Sequence, residues 1–104
     1  MSYEAFNLAG FNKHNPFISS PMTLDGKLFN LEVRWDFVFN FGYIIIRDEK
    51  NKIVLGATAL VNNLKIKLDQ RILPGFLKFV HVNGENFEPD INNIEKEFIF
   101  YHAK

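Results

Sequence analysis

A chain of 104 residues that is 47% hydrophobic and 15% aromatic is long enough for one domain with a single thin core. Its formal net charge is zero, which excludes a global positive field for nucleic acid or anionic lipid. The absence of cysteine excludes disulfides, thiolate metal sites and cysteine nucleophiles, and the 12 Phe exceed what so small a core hides with ease.

Residues 1–16 show neither a helical stripe nor sustained alternation and read as an extended N-terminal arm with a short strand near Tyr3 to Leu8. The start has no basic segment followed by a long apolar run, and no stretch reaches the roughly 20 apolar residues that span a bilayer. A soluble product made in the cytoplasm is therefore expected, with a single β-domain over residues 17–104. Its first strand runs from Phe17 to Leu24 and carries Pro21, which suits a sheet edge because proline gives no ladder donor. Asp25-Gly26 between apolar flanks then signals a two-residue hairpin turn with positive φ at both positions.

From Lys27 the alternation is clean. Phe29, Leu31, Val33 and Trp35 point one way, while Asn30, Glu32, Arg34 and Asp36 point the other. Phe37, Phe39 and Phe41 continue the apolar set at odd positions, and the alternation ends where Gly42 opens the β-branched run YIIIRD. A bulge or turn is expected between Asp36 and Gly42. The acidic and polar stretch Asp48 to Lys52 closes a second hairpin onto IVLGATAL. Leu64, Ile66 and Leu68 alternate with Lys65 and Lys67, which fits a short strand or a helical turn, and Pro74-Gly75 marks a turn. FLKFVHV reads as a strand ending at the Asn83-Gly84 turn, the polar loop after it holds one helical turn around Asp90 to Lys96, and FIFYHAK closes the chain as a last strand. Six or seven short strands without a long amphipathic helix specify an all-β fold, a small antiparallel β-sandwich or β-barrel.

Reactive constellations are sparse. There is no phosphate-binding glycine loop, no nucleophile elbow and no histidine pair at helical metal spacing. His81 and His102 fall on strands that can be neighbours, and Glu85, Glu88, Asp90, Glu95 and Glu97 gather in the polar loop, which reads as solvated. No catalytic, cofactor or metal site is assigned. Lys65, Lys67 and Arg71 near aromatic residues keep open a β-barrel that binds single-stranded nucleic acid or a hydrophobic ligand, against which the neutral charge argues. Arg34 beside Trp35 reads as a cation–π or ion-pair anchor, with Asp36 or Asp48 as its partner.

TLDGKLFNLEVRWDFVFNFGYIIIRDEKNKIVLGATALVNN, followed by LPGFLKFVHVNGENFEPDINNIEKEFIFYHA, resembles the small baseplate plug protein family of contractile-tailed bacteriophages, of the cyanophage type. The motifs are Leu24-Asp25-Gly26, Arg34-Trp35, Leu60-Val61, Pro74-Gly75, Glu88-Pro89 and Phe100-Tyr101 in shared order, over about residues 22–103. The sequence departs from the family at Asp48-Glu49-Lys50-Asn51-Lys52, where the family carries an Asp-Gly-like turn, and residues 1–21 match no family pattern. The resemblance implies a non-catalytic virion part made in the host cytoplasm and present in multiple copies in the tail baseplate. Its expected partners are hub, tail tube or wedge proteins, with no nucleic acid and no membrane.

The residues agree with such a role, because apolar surface in excess of the core marks interfaces and aromatic residues dominate their energetics. The expected docking residues are Phe6, Phe11 and Phe17 of the N-terminal region and Phe37, Phe39 and Phe41 after Trp35, with sheet edges aligning as the aromatics are buried. Asp25, Gly26, Arg34, Trp35, Asn83 and Gly84 are expected to hold the fold.

Overall fold

Strict alternation along residues 27–36 is the seed of the first sheet. In the computed structural model, which describes residues 3–6 and 8–104, β2 (Phe17–Leu24) and β3 (Lys27–Asp36) pair antiparallel and are followed by β4 (Phe41–Asp48) and β5 (Ile53–Ala59). The sheet order is β2-β3-β4-β5, so each strand pairs with its neighbour in sequence and β2, with Pro21, lies at an edge. Asp25 and Gly26 have φ of 52° and 77°, as a type I′ turn demands. Phe29, Leu31, Val33 and Trp35 are buried beside Ile44 and Ile46 of β4. The inward-facing positions switch from odd in β3 to even in β4 through a tight turn over residues 37–40, not a bulge.

The second sheet has the order β1-β8-β7-β6, built from β1 (Tyr3–Phe6), β6 (Leu64–Ile66), β7 (Phe76–His81) and β8 (Phe98–Ala103), with a single helical turn α1 (Ile94–Glu97) leading into β8. Leu77 and Phe79 of β7 and Phe98 and Phe100 of β8 point inward and join the first sheet's buried side chains in one hydrophobic cluster. Two sheets sharing one core make a sandwich, not a closed barrel. Each fully buried Phe, Leu or Ile in it contributes about 1.5–3 kcal/mol.

The described residues form eight strands, where six or seven are expected from the sequence, because the N-terminal region adds its own. The arm expected over residues 1–16 is corrected: β1 pairs with β8 from Tyr3 opposite Ala103 to Phe6 opposite Phe100, and Phe6, Leu8 and Phe11 are core residues. Residues 1, 2 and 7 of that region lie outside the described residues. The sequence after β1 cannot alternate, since it must cross from one sheet to the other. Phe11 nevertheless ends fully buried, with its amide bonded to the Leu8 carbonyl at 3.0 Å.

Three of the four edge strands are blunted. Proline interrupts β2, β6 has only three residues and a lysine, and β5 shifts register against β4 at two places. Bulges and prolines twist or block an edge against further strand pairing, so the expected alignment of sheet edges between molecules has little to template it.

Candidate docking surface

The turn between β3 and β4 places three large apolar residues in solvent. Phe37, Val38 and Phe39 are 56%, 85% and 78% exposed. The turn is nevertheless fixed: the Asp36 carboxylate accepts the amides of Val38 at 2.8 Å and Phe39 at 3.1 Å, and Asn40 takes φ of 58° to return the chain into β4. Asparagine is among the few residues that adopt this left-handed conformation at low cost. An Asx-type cap of this kind holds the apolar tip in one shape, so little order is lost when it is covered.

Behind the tip, the outer face of the first sheet continues the aromatic surface. Phe41 is half-buried against Tyr43, with ring centroids 5.9 Å apart. Phe17 is exposed, and the Arg34 guanidinium lies 4.6 Å from its ring centroid. Arg34 and Arg47 both reach the buried carboxylate of Glu32, at 3.4 Å and 2.9 Å, which leaves this group with one more positive than negative charge. The partners expected for Arg34, namely Trp35, Asp36 or Asp48, are replaced by Phe17 and Glu32, because Arg34 faces outward while Trp35 faces the core. Gly42 opposite Trp35 leaves room for the indole: a Cβ there would lie 3.1 Å from the ring.

The surface extends over the same end of the sandwich. The Leu60 amide donates to the Gly42 carbonyl at 2.8 Å, which sets the exposed Val61 beside the start of β4. Asn62 then ties in the polar loop: its side-chain amide donates to the carbonyls of Glu85 at 2.8 Å and Phe87 at 3.1 Å, and its backbone amide to Glu88 at 3.0 Å. Phe87 is partly exposed and packs on the His81 ring, centroid to centroid 4.6 Å, with the exposed Val82 following β7. His81 Nδ1 accepts the amides of Asn83 at 3.1 Å and Glu85 at 3.3 Å, which fixes the proton on Nε2. The Asn83-Gly84 turn thus hangs on a buried histidine, with Gly84 at φ 72°.

Of the six expected docking residues, Phe17, Phe37 and Phe39 are exposed and Phe41 is half-buried beside them. Phe6 and Phe11 are corrected to core positions: Phe6 meets Phe100 edge to face at 6.4 Å. Val38, Val61, Val82 and Phe87 belong to the same end and carry no alternation signal, since they sit in turns. The histidines do not converge. His81 pairs with Phe98 and His102 with Leu77, four residues along the ladder and roughly 13 Å apart. His102 Nε2 donates instead to the Pro74 carbonyl at 2.7 Å. Among the described residues no group of three or more His, Asp or Glu has the arrangement to hold a metal ion. Lys65 faces Phe76 at 4.4 Å on the outer side of the second sheet, while Arg71 forks onto Asp69 in the loop before β7, with Nη2 to Oδ2 at 2.6 Å. Matched against protein-family models and against curated proteins, the chain finds no counterpart.

Proposed function

We propose that this chain is a non-catalytic structural component of a contractile phage tail baseplate, packing near the central hub and tail tube as one of several copies. It docks through the apolar end of the sandwich. The observation that carries this reading is the turn at residues 37–40, where three consecutive large apolar residues stand in solvent on a backbone pinned by Asp36. Such a run has a cost in solubility and becomes favourable when covered. The resemblance of residues 22–103 to the plug family in the order of their motifs supports a tail baseplate as the assembly that covers it.

Proteomic analysis of contractile tails purified from the producing phage, before and after dissociation into tube, sheath and baseplate, tests the assignment. The chain is expected in the baseplate fraction at constant stoichiometry. Its absence from intact tails contradicts the proposal. A second reading, a binding module for single-stranded nucleic acid, draws on the outer face of β6, β7 and β8, where Lys65 pairs with Lys78 and Lys78 with Tyr101 beside Phe76. Salt-dependent binding of a fluorescent oligothymidine favours that reading, and no binding at low salt removes it.

A further inference from the structure

We infer that copies of this chain associate head to tail, the Phe37–Phe39 tip of one seated in a cleft at the opposite end of the next. The inference deepens the docking role proposed for the tip and rests on it. The cleft has a volume of about 560 Å³ and lies between the Asp25-Gly26 hairpin, the turn after β4 and the loop before β7. Leu28, Phe29 and Ile72 give it an apolar lining, and Lys27, Lys50 and Arg71 surround them. Asp48 and Glu49 also line it, with Asp48 Oδ1 committed to the amides of Lys50 and Lys52, both at 2.9 Å. The cleft is preformed: Lys27 Nζ donates to the carbonyls of Arg71 at 2.9 Å and Ile72 at 3.0 Å, tying the first sheet to the loop.

Tip and cleft sit at the two ends of β3, whose ten residues span roughly 30 Å. Charge is divided the same way. The end with the tip carries six carboxylates, Asp36, Glu85, Glu88, Asp90, Glu95 and Glu97, against Lys13, Arg34 and Lys96. The end with the cleft carries six cations, Lys27, Lys50, Lys52, Lys67, Arg71 and Lys104, against five acidic residues, Glu4 (opposite His102 in the ladder), Asp25, Asp48, Glu49 and Asp69. A neutral chain with opposite ends of opposite sign attracts its own copies end to end and repels like ends. The tip itself is uncharged, since the Asp36 carboxylate is turned back onto the turn amides, so its rings bring no ion with them onto the Leu28, Phe29 and Ile72 part of the cleft. Because the two surfaces differ, the contact is heterologous and propagates into a ring or stack instead of closing as a twofold pair.

Sedimentation velocity of the full chain from micromolar to near-millimolar concentration, at low and high salt, tests this with a tip variant, F39S, and a cleft variant, L28E/K50E. Both alter exposed side chains, and unchanged melting temperatures verify their folds. The expected result is wild-type association beyond the dimer, weakened by salt, and loss of association by about tenfold or more in either variant alone. Mixing the two variants is expected to restore a dimer that grows no further, since one intact tip meets one intact cleft. A wild-type chain that stays monomeric, a tip variant that associates like wild type, or a mixture without dimer overturns the inference. If the wild type is monomeric while F39S fails to enter tails, the head-to-tail contact alone falls. If F39S enters tails normally, the docking role falls with it.

Discussion

Gly75 and Gly26 both have positive φ, +84° and +77°, yet they are under different constraints. A Cβ on Gly75 would lie 2.2 Å from the Ala103 carbonyl oxygen, inside the end of β8, whereas one on Gly26 meets nothing within 4 Å. Gly26→Ala is therefore expected to cost about 1–2 kcal/mol, the backbone preference alone, and Gly75→Ala about 3 kcal/mol or more. Urea denaturation measures both, and equal losses would show that the close approach at Gly75 relaxes freely. Asp25 offers a test in pH. Its hydrogen bond from the Lys104 ammonium holds its carboxyl below the usual value of 3.8. The unfolded state then binds the proton more tightly, so the stabilisation is present above the unfolded value and is lost as pH falls through the lower folded one. A melting-temperature series is expected to separate wild type from K104M at neutral pH and to bring them together at the acid end. A constant gap across that range would contradict the pairing.

At the scale of elements, the N-terminal region and the β3–β4 turn have opposite roles although both carry Phe. Phe11 is fully buried, so Phe11→Ala is expected to cost about 3–5 kcal/mol, while Phe39→Ala changes stability by less than about 0.5 kcal/mol. Comparable losses in a denaturant titration would mean that the tip packs on the domain. The strands from Phe17 to Asp36 were legible in the sequence because alternation, Pro21 and Asp25-Gly26 are local signals. The burial of Phe6 and Phe11 was not, because β1 finds its partner almost a chain length away in β8, and no periodicity encodes a contact of that separation. Three of the six candidate docking residues, Phe37, Phe39 and Phe41, stood out as a surplus of Phe after Trp35. The contribution of Val61, Val82 and Phe87 was hidden, since turn residues show no face until the fold brings their loops to one end.

At the scale of the molecule, a sandwich with three of its four edge strands blunted and one apolar end is suited to docking by insertion of that end. Neutral charge overall conceals a division between the two ends, which composition cannot report because it sums them. In the proposed role, the tip at residues 37–39 holds this chain in the baseplate. The direct measurement is the amount of F37S/F39S relative to wild type in purified tails, quantified by mass spectrometry after complementation of a deletion phage. The double variant is expected to be folded, with an unchanged melting temperature, and depleted about tenfold or more from the particles. Equal incorporation of the two proteins would contradict it.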